Sequence, residues 1–253
     1  DAFNGCSNLE NIWLPSSLKE IGIAAFRNFG QLGSIIIPEN TTSIGDETFV
    51  GCGNLKSAII NAKITSIPKR MFSNCTSLSN VNISESILTI KEEAFSGCSS
   101  LSSLPEGSTI TYIYSNAFAN CNGLEELTLP DSIKVIGKRA FSGCLNLSNI
   151  FIPNSIRNLT IGTEAFAPNN LRSIYTYPLT APESDPSAFG NELGSIYLFY
   201  TSESVGYDKQ PWCDFNKAPF SMKTITYFID NDAIYSETIQ VGDKIVPPPL
   251  SIT

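Results

Sequence analysis

The sequence predicts an α/β solenoid, mostly β and loop with single helical turns, in which 23-residue coils stack to place short parallel strands on one face. Three observations carry that expectation. A Phe recurs at Phe3, Phe26, Phe49, Phe72, Phe95, Phe118, Phe141, Phe166 and Phe189, spaced by 23 six times, then by 25, then by 23. Apolar residues follow each Phe at fixed offsets and make continuous columns. A unit of this length cannot bury its own apolar side, whereas stacked units turn each column into a ladder.

Within one coil the elements follow in order. Three residues after each Phe stand Cys6, Phe29, Cys52, Cys75, Cys98, Cys121 and Cys144, and this Ala-Phe-x-x-Cys segment reads as one helical turn, too short to be a free helix. Leu9, Leu32, Leu55, Leu78, Leu101, Leu124 and Leu147 come next. A strand follows, inward at Ile12, Ile35, Ala58, Val81, Leu104, Leu127 and Ile150, and inward again two residues later at Leu14, Ile37, Ile60, Ile83, Leu129 and Ile152. Pro15, Pro38, Pro130 and Pro153 stop it. A second, shorter extended piece carries Ile21, Ile44, Ile67, Ile90, Ile113, Ile136 and Ile161, and Gly22, Gly45, Gly137 and Gly162 end it. Eight to nine such rungs at ~4.8 Å make a stack about 40 Å long.

Composition narrows the chemistry. The chain has 253 residues, 16 Lys+Arg against 24 Asp+Glu, no His and a net charge of −8. An acidic surface gives no attraction to phosphate backbones, so no nucleic-acid partner is expected. Absent histidine removes the commonest general base, the Ser/His and Cys/His nucleophile pairs and most zinc sites. No cofactor, metal or catalytic residue is expected, and the chain is read as no enzyme. No apolar run is long enough to span a membrane.

The stretch Ala-Phe-x-x-Cys-x-x-Leu-x-x-Ile-x-Leu-Pro-x-Ser-Leu-x-x-Ile-Gly resembles the BspA-like (Treponema-type) leucine-rich repeat over residues 1–199. The resemblance implies a right-handed superhelix with its strands on the concave face. It also implies a bacterial cell-surface or secreted protein, with adhesion, and so a host-derived protein or glycan ligand, as the function often proposed. The chain opens in mid-repeat at Asp1-Ala2-Phe3, from which earlier repeat sequence is expected.

Departures from the repeat are informative. In the fifth coil Leu104-Pro105-Glu106-Gly107 puts a carboxylate where an inward apolar residue belongs; burying it unpaired is very costly, so a bulge turning Glu106 outward is expected. Asn169 and Glu192 replace Cys after Phe166 and Phe189, and Leu171 and Leu193 suggest turns shortened by one and two residues. Residues 200–222, with Trp212 and Phe215, are similar to the closing segment of such arrays: a short helical cap over the last rung. From residue 223 the pattern alternates through Ile225-Thr226-Tyr227-Phe228-Ile229 and Ala233 to Val241, with Asp230-Asn231-Asp232 as a turn lacking EF-hand spacing. Residues 223–253 resemble the opening of an InlB-type B-repeat, a β-grasp-like module.

The five Cys from Cys52 to Cys144 stand one per coil, which does not build a tetrahedral metal site. Phe29 in the same column marks a buried apolar place, and no disulfide is expected among the five. Function then falls to outward strand positions. One outward column runs Trp13, Ile36, Ile59, Asn82, Pro105, Thr128, Phe151, Tyr175 and Tyr197, with Tyr177 and Phe199 added by the last rungs. Its neighbour is small and polar. Trp13, Phe151, Tyr175, Tyr177, Tyr197 and Phe199 are the candidate ligand-binding residues, and exposed aromatics grouped in this way mark protein or sugar contacts. A non-enzymatic binding module is the leading reading; the alternative is a spacer presenting other domains on the bacterial surface.

Overall fold

The computed structural model describes residues 2–6, 12–106, 109–191, 193–201, 204–220, 222–229 and 232–240. Period-2 apolar residues place one strand on the same side of each coil, and the strands of successive coils pair in parallel. Ser34–Ile37, Ser57–Ile60 and Asn80–Ile83 form a three-stranded sheet. Glu126–Thr128, Asn149–Ile152, Ser173–Thr176, Tyr197–Thr201 and Asn216–Phe220 form a five-stranded one. The two make up one broad face, interrupted at the fifth rung. Register keeps the inward columns buried, as in Ile35–Ala58–Val81 and Leu127–Ile150–Ile174–Leu198. A narrow edge of two-residue parallel strands runs from Ser66–Ile67 to Glu183–Ser184, and Glu20–Ile21 pairs with Ser43–Ile44 ahead of it.

The expected parallel-strand solenoid is present, but the helical turn around Ala-Phe-x-x-Cys takes a tighter form. Ala25 N–H bonds Gly22 O at 3.3 Å, Arg27 bonds Ala24 O at 3.3 Å, and Phe29 bonds Phe26 O at 3.2 Å. Ala24 and Asn28 between them are left-handed, with φ of 51° and 55°, which no α-helix accommodates. The remaining amides bond to the next rung: Phe26 N–H to Thr48 O at 2.9 Å, Phe49 to Met71 O at 2.8 Å, Phe72 to Ala94 O at 2.8 Å. Stacking therefore satisfies the donors that a helix would use internally. Among the described residues the only helical pieces are the 3-10 turns Leu193–Ser195 and Trp212–Asp214.

Two columns fix the turn. The nine Phe rings stack face to face, consecutive centroids 5.1–5.5 Å apart and planes within 17°. Two residues beyond the Phe, Gly5, Asn28, Gly51, Asn74, Gly97, Asn120 and Gly143 alternate strictly, all left-handed with φ of 55–78°. Each Asn side chain lies over the next Gly: a Cβ at Gly51, Gly97 or Gly143 would stand 2.3–2.5 Å from the Oδ1 of Asn28, Asn74 or Asn120.

The stack continues past residue 199. Trp212 stands 23 residues after Phe189, in phase with the Phe column, with its ring 5.4 Å from Phe189 and its Nε1–H bonding Pro182 O at 2.9 Å. Phe215, three residues on, takes the Cys position as Phe29 does. Both are buried, with Tyr207 beside them. Asn216–Phe220 then extends the broad sheet by pairing with Tyr197–Thr201. Its first inward place is Lys217, which is exposed. Met222–Ile229 and Asp232–Gln240 pair antiparallel as a hairpin. The turn expected at Asp230-Asn231-Asp232 and the tail from Val241 to Thr253 fall wholly or mostly outside the described residues.

Candidate functional site

The thiol column serves the scaffold. Cys52, Cys75, Cys98, Cys121 and Cys144 are free and fully buried, and each Sγ–H donates at 3.1 Å to the carbonyl of the Phe 26 residues earlier. A thiol fits because it is small and apolar yet gives a buried carbonyl a donor. Burial pushes the thiols of Cys98 and Cys144 up to about 12 and raises Cys75 and Cys121 well above the ordinary range. Thiols held protonated in this way are poor nucleophiles and poor metal ligands. No cluster of three or more His, Cys, Asp or Glu among the described residues could hold a metal ion.

The outward aromatics are brought together on the C-terminal half of the broad face. Phe151 pairs with Tyr175 and Tyr175 with Phe199 across successive strands. Their rings stack at 4.9 Å and 4.7 Å with planes 8° and 7° apart. All three are half-buried. Tyr197 does not continue this column, as the sequence reading has it. It pairs with Ser173, in line with Asn149 and Glu126 in the polar column, and lies beside Phe199 at 6.2 Å. The reason is register: the 3-10 turn Leu193–Ser195 takes up the loop, so the strand begins eight residues after Phe189, as it does after Phe141. Tyr197 is 49% exposed and is the most open ring of the group. Tyr177 lies two residues beyond Tyr175 on the outward side, half-buried. Trp13, 91% exposed, stands at the opposite end of the array, ahead of Ile36 and Ile59, and is no part of this cluster.

Two concavities flank the strip. Glu106 is exposed and bridged to Asn82, with Pro105 buried in its stead, so the expected outward turn is a one-residue slip. A cavity of about 350 Å³ opens beside it, lined by Leu104, Pro105, Glu126, Thr128 and Leu129. A larger groove of about 1040 Å³ runs along the turns of the later coils. Its polar groups are largely tied within the fold: Arg139 to Glu164, Asn169 Nδ2–H to Phe189 O at 3.0 Å, and Asn170 Nδ2–H to Leu145 O at 2.7 Å. Sequence reading did not anticipate it, although Asn169 replacing Cys marks the coil that forms it.

A family model for the BspA-type leucine-rich repeat region, in six copies, matches residues 1–125 and 68–196. The chain belongs to the BspA-type leucine-rich repeat family. Among solved structures it is similar to a leucine-rich repeat protein from Bacteroides ovatus, at 23% identity and TM-score 0.52, covering 80% of this chain and 64% of that one. A leucine-rich repeat protein from Eubacterium ventriosum matches at 28% identity and TM-score 0.50, over 64% of this chain and 37% of that one. The leucine-rich repeat protein of T. pallidum matches at 21% identity and TM-score 0.52, over 65% and 77%. The chain thus spans less than two thirds of the first two relatives. No curated protein matches it. The family match ends at residue 196, and the likeness of the tail to a B-repeat rests on sequence alone. No helix among the described residues is long and apolar enough to cross a membrane.

Proposed function

We propose that this protein is a non-enzymatic binding module, displayed on or secreted from a bacterial cell, that holds a protein ligand against the Phe151–Tyr175–Phe199 strip. The carrying observation is the three-ring stack at 4.7–4.9 Å, half-buried on a rigid parallel sheet, with Tyr197 open beside it. Exposed aromatics on a fixed scaffold offer contact area at low entropic cost, because little side-chain freedom remains to be lost. The stack also favours protein over glycan. A sugar docks on a ring face, and here neighbouring rings cover the faces except at the two ends of the stack. Ring edges and the Tyr hydroxyls remain, and these suit peptide groups and aliphatic side chains. Adhesion to a host-derived protein is the biological setting that the family supports best.

The test uses a panel of purified extracellular-matrix proteins and glycans, with the full chain as wild type and as the Phe151→Ala, Tyr175→Ala, Phe199→Ala triple variant. Saturable binding of a matrix protein that drops at least tenfold in the triple variant, with the thermal midpoint kept within a few degrees, is expected. Equal binding by the variant overturns the assignment of the strip, and binding of glycans alone overturns the ligand class.

A further inference from the structure

The slip in the fifth coil leaves an edge inside the broad sheet. Glu106 pairs back to the fourth coil: its N–H bonds Val81 O at 2.8 Å, and Ile83 N–H bonds Glu106 O at 3.1 Å. The next strand, Glu126–Thr128, pairs only with Asn149–Ile152 and is the terminal strand of its sheet. Along the broad face outward residues donate to the preceding coil, as Asn61 does to Ile37 O at 3.0 Å and Ser84 to Ile60 O at 3.1 Å. Inward residues donate to the following coil, as Leu129 does to Phe151 O at 3.0 Å. By that rule the N–H groups of Glu126 and Thr128 point into the 350 Å³ cavity between the fifth and sixth coils. No backbone carbonyl of the preceding coil meets either of them among the described residues.

We infer that this notch takes a short extended segment of a partner protein, carrying Lys or Arg, whose main chain pairs with the Glu126–Thr128 edge. The inference rests on the broad face being the protein-binding face. An unpaired strand edge is a template for another chain. Three residues of edge span about 10 Å, enough for a two- or three-residue match and not for a long strand. Half-buried Leu104 and Pro130 give the cavity an apolar wall for one side chain. Exposed Glu106 and Glu126 flank it, and neither meets a cation among the described residues; Glu126 accepts only from Asn149, at 3.0 Å. In a chain of net charge −8 that rim selects a basic segment. The notch is also continuous with the aromatic strip, because Thr128 pairs directly with Phe151.

The experiment follows amide signals of the isotopically labelled full chain while two blocked pentapeptides are added separately, Lys-Val-Thr-Val-Lys and Glu-Val-Thr-Val-Glu. Saturable shifts centred on Glu126 and Thr128 are expected with the basic peptide at millimolar concentration, and at least tenfold weaker response with the acidic one. Thr128→Pro removes a notch-facing donor without touching the pairing to Asn149–Ile152 and should abolish the response. Glu106→Lys with Glu126→Lys, a surface change that leaves the core alone, should transfer it to the acidic peptide. Absence of saturable shifts at these two amides overturns the inference, and so does an equal response to both peptides. Shifts that follow protein concentration without peptide also overturn it, in favour of a second copy of the chain. A triple strip variant that loses its protein ligand but keeps the peptide shifts leaves the notch standing; retained ligand binding without peptide shifts strikes the notch alone.

Discussion

Replacing Gly97 by Ala probes the alternating Gly/Asn column with two separable costs. Gly97 is left-handed at φ 78°, and an added Cβ would stand 2.5 Å from Asn74 Oδ1. Holding a non-glycine residue in that region costs roughly 1–2 kcal/mol. Driving the Asn74 side chain off its rotamer adds roughly 0.5–1.5 kcal/mol, because its amide must swing away from the rung above. The sum is about 1.5–3.5 kcal/mol. Adding Asn74→Gly clears the space and should return the second part while leaving the first. Urea unfolding followed by circular dichroism reads these differences, with identical slopes required so that midpoints can be compared. A Gly97→Ala variant within about 0.5 kcal/mol of wild type would refute the reasoning. So would a double variant no better than the single one.

Other predictions follow from the same rungs. Phe118→Ala opens the ring stack between neighbours 5.1 Å and 5.3 Å away and should cost about 3–5 kcal/mol, with the transition splitting as the array loses nearest-neighbour coupling. Native alkylation at pH 8 should label at most Cys6 and Cys213, the two half-buried thiols, and all seven only after denaturation without reductant. Fewer than seven labels then would mean a disulfide. Because Cys98 and Cys144 titrate near 12 when folded and near 9 when not, the folded chain holds more protons above pH 9. That stability is complete below about pH 9 and drains as pH rises toward 12, so the thermal midpoint should fall across that window; a flat midpoint would contradict burial of the column. Glu47→Gln breaks contacts to Arg27 at 2.7 Å and Arg70 at 2.9 Å, yet these are partly solvated and should be worth less than about 1 kcal/mol each.

Much of the scaffold is legible in the chain because stacking repeats one physical demand per rung. From the second coil onward the Phe and Cys columns and nearly all inward Ile and Leu residues are buried where period 23 places them, and Glu106 faces out because a carboxylate cannot sit among them. Legibility fails where the residue type changes while the phase persists. Trp212 falls in the Phe column by spacing alone, but its identity suggests a cap, so the coil ending in Asn216–Phe220 goes unseen. The Gly/Asn alternation is plain in the sequence, but its meaning needs φ values, since both residues also suit ordinary turns. The expected helical turn fails because its amides have better partners one rung away, which local propensity does not contain.

The strip itself shows the same limit. Phe151 and Tyr175 are assigned correctly by counting, whereas Tyr197 shifts into the polar column and Phe199 takes its place beside Tyr175, because Leu193 sits in a 3-10 turn and does not mark the repeat phase. Which aromatic stacks and which stands open is a question of two residues of register. The proposed ligand contact depends on the answer.

Hydrogen exchange of the full chain with and without the matrix protein that it captures tests the central claim most directly. Slowed exchange confined to Asn149–Ile152, Ser173–Thr176 and Tyr197–Thr201, with the narrow edge from Ser66–Ile67 to Glu183–Ser184 unchanged, is the predicted result. Protection on the narrow edge or along the Arg139–Glu164 groove, with the aromatic strands unaltered, would contradict it.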